Sequence, residues 1–109
     1  MRRDEIPPGT LYLLILKTLA RGGEMHGYEI ANFIQRISED VLQVEEGSLY
    51  PALQRMLIRG WVTAEWGTTE GNRRARYYRL KAEGRRQLVV EVSQFERVMA
   101  AIGRVIQSA

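Results

Sequence analysis

The run Glu46-Gly47-Ser48-Leu49-Tyr50-Pro51-Ala52-Leu53-Gln54-Arg55 concentrates side chains suited to reading a nucleic acid. A tyrosine hydroxyl such as that of Tyr50 reaches phosphate, while the Gln54 amide matches an adenine edge and the Arg55 guanidinium a guanine edge. Read as a helix, the run puts Leu49, Leu53, Met56 and Leu57 on one face. Ser48, Tyr50, Pro51, Gln54, Arg55 and Ile58 fall on the other. Ser48 is the expected N-cap. Pro51 would then stand three residues after the cap, where no intrahelical amide bond is lost.

A second group follows in Asn72-Arg73-Arg74-Ala75-Arg76. Residues 67–79 carry four arginines against one glutamate, Glu70. Such a run is often no more than a solvated face. Directly after a helix with a hydrogen-bonding outer face, it reads as a basic hairpin that meets the phosphate backbone or the minor groove. Against this stand Glu39, Asp40, Glu45 and Glu46, in a connection with no basic residue. Glu45 and Glu46 complement the dipole of the following helix but would repel a nearby phosphate. Capping on a side away from DNA is the preferred reading, and Arg55 has bracing of these acids as an alternative role. His26, the single histidine, is read as structural at a helix start. Trp61, Trp66 and Tyr78 are expected to pack the hairpin onto the helices.

The elements that must position these groups follow from periodicity. After Pro7-Pro8-Gly9, Thr10 is the expected cap of a first helix from Leu11 to about Arg21, apolar nearly all round and so central to the core. Gly22-Gly23 stops it. A second helix starts near His26 or Gly27, with Tyr28, Ile30, Ala31, Phe33, Ile34 and Ile37 as its buried stripe. The third runs from Ser48 to about Arg59 and closes at Gly60. The period then falls to two: Val62, Ala64 and Trp66 alternate with Trp61, Thr63 and Glu65, and a second strand spans Arg76 to Leu80. Helix, helix, helix, hairpin is the order of a winged helix-turn-helix. The expected fold class is mainly α with a small β-hairpin.

Lys81 to Gly84 opens a last long helix. Leu88, Val92, Phe95, Met99, Ile102 and Ile106 are spaced 4, 3, 4, 3 and 4, a heptad seam over almost three repeats. Val89, Val98 and Val105 widen it. A stripe this long needs a cover, and a second copy of the chain is the expected one. Residues 1–80 therefore read as a DNA-binding domain and 81–109 as a dimerisation helix.

Composition narrows the function classes. With 109 residues, 45% hydrophobic and 27% charged, the chain reads as one globular domain with an appendage. The net charge of +3 is mild, so the partner is read from where charges sit. Fourteen of the sixteen basic residues are arginine, the exceptions being Lys17 and Lys81. The absence of cysteine excludes thiolate metal sites, and the single histidine excludes a poly-histidine metal centre and weakens most acid–base catalytic schemes. No enzyme activity, cofactor or metal is expected. The apolar run from Leu11 to Leu16 is too short to span a bilayer, and a cytoplasmic location is expected.

These residues resemble the PadR-like transcriptional regulators, in particular the short branch with one C-terminal helix. The resemblance rests on Gly9-Thr10, His26-Gly27-Tyr28, Gly47-Ser48-Leu49-Tyr50-Pro51-Ala52-Leu53 and Arg59-Gly60. It continues through Arg73-Arg74-Ala75-Arg76-Tyr77-Tyr78-Arg79-Leu80 and Glu83-Gly84, so that it covers essentially the whole chain. It implies a homodimeric winged-helix repressor on a palindromic operator in double-stranded DNA. By position, Ser48 and Tyr50 would fall at the recognition helix, Tyr28 beside it, and Asn72, Arg73, Arg74 and Arg76 in the wing. Ligand-sensing members of that family often bind planar aromatic compounds near the dimer interface, so the resemblance puts any effector there, where Phe95 stands between Val92 and Met99. The preferred reading of Phe95 is that it fills the dimer core. The rival is a winged-helix protein-interaction module without specific DNA binding.

Overall fold

The computed structural model describes residues 4–7 and 9–109; Pro8 of the expected arm lies outside them. In chain order the elements are β1 (Asp4–Glu5), α1 (Leu11–Gly22), β2 (Met25–His26), α2 (Gly27–Ile37) and β3 (Leu42–Gln43). They continue with α3 (Glu46–Ile58), β4 (Val62–Thr68), β5 (Arg74–Leu80) and α4 (Ala82–Ile106). This is a mainly helical winged helix with a long final helix.

Three helices and the base of the hairpin enclose one core. Ile15, Leu16 and Leu19 come from α1, Ile30 and Ile34 from α2, and Leu49, Ala52, Leu53 and Met56 from α3. Val62, Tyr78 and Leu80 close it from the strands. Thr18 is buried among them, and its hydroxyl donates to the Leu14 carbonyl at 2.7 Å, so its own polar group is paired. The α2 stripe is narrower than its periodicity implies: Tyr28 and Ile37 are exposed, at 64% and 59%. Tyr28 stands in the first turn of α2 and Ile37 in the last, past the ends of the packed surface.

Both expected threonine and serine caps are corrected. Thr10 occupies the N-cap position of α1, but its backbone (φ −106°, ψ −6°) is not extended, and its hydroxyl donates to the Pro7 carbonyl instead. In α3 the N-cap is Glu45, with extended backbone, and Ser48 lies inside the first turn. Pro51 is therefore deeper in the helix than its distance from Ser48 implies. It leaves the Gly47 carbonyl without its usual donor four residues on, which is tolerable because Gly47 is exposed to water.

The sheets are also larger than a lone hairpin. β4 and β5 pair antiparallel from Val62↔Leu80 to Thr68↔Arg74, so β5 begins at Arg74 rather than Arg76. β2 adds antiparallel to the other edge of β5 through Met25↔Tyr78 and His26↔Tyr77. Within the acidic connection, β3 pairs in parallel with β1, Asp4↔Leu42 and Glu5↔Gln43. Two-residue strands have no period of their own, and only their partners define them.

α4 leaves the hairpin at a close joint. A Cβ at Gly84 would lie 2.2 Å from the Trp61 carbonyl oxygen, which also accepts from the Lys81 amide at 2.9 Å. The first turns of α4 then pack on α1, and Leu88 joins the edge of the protomer's own core. Leu88 and Val92, expected in the dimer interface, are already half-buried within the single chain. From Phe95 onward the stripe is open to solvent.

Candidate nucleic-acid interface

The outer face of α3 carries the side chains assigned to it: Ser48, Tyr50, Pro51, Gln54, Arg55 and Ile58 are all exposed. Tyr50 is not free-standing. Its ring lies over Gly27 at the start of α2, where an added Cβ would be 2.7 Å from Tyr50 Cε1 and 2.8 Å from its hydroxyl. Only a residue without a side chain allows this approach, and it places the Tyr50 ring against the first residue of α2.

His26 holds that corner together. Its Nδ1 accepts from the Glu29 amide at 3.3 Å, while Glu29 Oε1 accepts from the His26 amide at 3.0 Å. This is a capping box with histidine in the usual serine or threonine place. The imidazole also meets the Tyr77 ring edge-on at 5.3 Å, so the start of α2 is tied to the wing strand as well as to its own first turn. The His26-x-x-Glu29 spacing was readable in the sequence as a cap, but the strand pairing behind it was not.

Arg55 is exposed but engaged. Its Nε donates to the Tyr12 hydroxyl of α1 at 2.5 Å, and its guanidinium lies 5.6 Å from the centre of that ring. It braces α1 rather than the acids before α3. Arg59 covers Tyr12 and Trp61 at the far end of the same helix.

The wing tip is a compact turn. The Thr69 amide donates to the Arg73 carbonyl at 2.8 Å and the Asn72 amide to the Thr69 carbonyl at 2.9 Å. Asn72 has φ +60°, a left-handed conformation that asparagine tolerates better than most residues. Arg73 and Arg74 are exposed beside it, and Arg76 is half-buried. Among the described residues, none of these three arginines has a carboxylate within ion-pair distance. Arg79 differs, pairing with Glu24 at 3.0 Å, so the positive charge of the wing resides in its outer three arginines.

Trp66 corrects its expected role. It is 62% exposed and does not pack on the helices; the guanidinium carbons of Arg74 and Arg76 lie 4.8 and 5.8 Å from its ring centre. Trp61, in contact with Tyr12, and the buried Tyr78 do join hairpin to helices. Burial pushes the Tyr78 phenol above its ordinary pKa, Arg76 pulls it down, and the Tyr50 phenol adds a push.

Among the described residues no cluster of histidine, aspartate and glutamate could hold a metal ion, and no helix is long and apolar enough to cross a membrane.

Comparison with known proteins points the same way. The model of the transcriptional regulator PadR-like family matches residues 15–90. An uncharacterised protein of Lysinibacillus sphaericus is 28% identical over 102 residues, 94% of this chain and 93% of that one. A transcriptional regulator from Clostridium thermocellum superposes with a TM-score of 0.82 at 26% identity, covering 91% of this chain and 95% of its own. A PadR family transcriptional regulator from Eggerthella lenta gives 0.78 at 25% identity, covering 93% and 85%.

Proposed function

Because the chain belongs to the PadR-like family of DNA-binding transcriptional regulators, we propose that it is a homodimeric repressor of a palindromic operator. In this reading the outer face of α3 enters the major groove, with Tyr50 and Ser48 on phosphate and Gln54 on a base edge. The terminal nitrogens of Arg55 contribute beside them, and Tyr28 flanks the helix. Asn72, Arg73, Arg74 and Arg76 meet the backbone or the minor groove. The observation that carries the reading is electrostatic: three wing arginines with no carboxylate partner among the described residues accompany an exposed, hydrogen-bonding helix face. A protein-binding module would have no need to keep three cations unneutralised at the tip of a hairpin.

The open stripe of α4 supports dimerisation. Phe95, Val98, Met99, Ile102, Val105 and Ile106 are all exposed in the single chain, on a helix of 25 residues. Lone exposed apolar residues are ordinary, whereas a continuous stripe marks an interface. A two-fold axis across α4 would bring two Phe95 rings together with Val92 and Met99 around them, a setting suited to a flat apolar effector.

Two measurements test the DNA reading. The double substitution Arg73→Ala/Arg74→Ala should weaken binding to every duplex alike and lower the slope of log affinity against log salt by about 2. An unchanged slope would remove the wing from the interface. Gln54→Ala should cost about 1–3 kcal/mol on the preferred operator and far less on random DNA. Equal losses on both would show that Gln54 reads no base.

A further inference from the structure

The face of the hairpin that builds the core does not end where the core ends. Val62 and Leu80 are paired and buried at its base, and Ala64 faces the buried Tyr78 next. Two residues on, by strand alternation, the same face presents Trp66 opposite Arg76, and then Thr68 opposite Arg74. An indole would ordinarily cover helix surface at such a position. Here the helices stop short, and its cover consists of two guanidinium groups.

How an arginine is held decides what it can still offer. Arg79 is ordered by Glu24, which also offsets its charge, and Arg86 is held by Glu83 in the same way. Arg74 and Arg76 lie against a π face, which attracts a cation without carrying a compensating charge. Arg76 Nε is buried and has no hydrogen-bond partner among the described residues, so packing on the aromatic ring, not a polar contact, locates this guanidinium. Arginine otherwise loses considerable rotamer freedom when it is fixed on a ligand.

We propose that Trp66 is the positioning residue of the wing, holding Arg74 and Arg76 ready for the phosphates of a DNA duplex while leaving their charge intact. This rests on the DNA-binding reading above and adds to it the residue that organises the contact. Because Trp66 itself neutralises no phosphate, its removal should change affinity without changing the number of counterions released. Removing an arginine changes both.

The test is a salt series on the preferred operator and on a random duplex. It uses the full-length wild type, Trp66→Leu, Trp66→Phe, the pair Arg74→Ala/Arg76→Ala, and that pair combined with Trp66→Leu. Leucine keeps apolar bulk and discards the π face, so it replaces the riskier truncation to alanine. Trp66→Leu should weaken both duplexes about tenfold, as expected when two long side chains must be ordered on binding. The salt slope should stay at the wild-type value. Trp66→Phe should recover most of the loss. In the background without the two arginines, Trp66→Leu should have no further effect. Melting temperatures should move by less than about 4 °C, because the site is at the surface. Wild-type affinity in Trp66→Leu, or an undiminished loss when both arginines are already gone, would overturn the inference while leaving DNA binding in place. A wild type that binds neither duplex would overturn both.

Discussion

Ile102→Glu should give a folded protein that sediments as a monomer and binds a two-half-site operator about 10²–10⁴-fold more weakly. Ile102 lies in the uncovered part of α4 and is 45% exposed in the single chain, so a glutamate there costs the protomer little. In a symmetric dimer the same substitution occurs twice across one axis and buries two unpaired carboxylates. The loss of affinity follows from the loss of linkage: two tethered winged helices engage the second half-site at high effective concentration, and separated ones do not. Truncation after Gly84 is the blunter form of this test, because it also removes Leu88 from the edge of the core. Sedimentation equilibrium with a parallel operator titration checks the prediction. A dimer of unchanged stability in Ile102→Glu would place the subunit contact elsewhere.

Gly84→Ala should destabilise the protein by about 2–3 kcal/mol, although helix propensity alone predicts the opposite sign. An alanine for glycine inside a helix ordinarily gains roughly 1 kcal/mol. At this position the new methyl would stand 2.2 Å from the Trp61 carbonyl oxygen and 2.9 Å from Leu80 Cδ2. Backbone cannot yield as a flexible side chain does, and overpacking of this kind costs typically 1–3 kcal/mol, occasionally more. The collision therefore outweighs the propensity. For a domain of this size the melting temperature should fall by roughly 10 °C or more. Because the joint sets how α4 leaves the hairpin, operator affinity should fall even at temperatures where the variant is folded. A melting temperature equal to or above that of wild type would show that α4 can pivot at this joint without cost.

Much of this architecture is written locally. The 3.6-residue period of α1, α2 and α3, the change to a period of two after Gly60 and the heptad spacing of α4 each depend on residues a few positions apart. Those elements appear where the spacing puts them to within about two residues at their ends. The outer face of α3 was legible for the same reason: a helix whose apolar face is known has its polar face assigned by geometry. The basic wing tip was legible from composition, and the order and spacing of the short motifs identified the family.

Other features depend on residues far apart in the chain, and there the tertiary structure decided. Ser48 has the chemistry of a cap, but the backbone turns at Glu45, beyond the β1–β3 pairing that no local pattern announces. Arg55 could have met the acids before α3, yet its partner is Tyr12, 43 residues away. Trp66 continues an alternation that begins in the core, and it was expected to pack the hairpin onto the helices. How far along the hairpin the helices reach is set by packing, and they stop before it. Periodicity states which side of an element a residue is on; only the assembled fold states whether anything stands there to cover it.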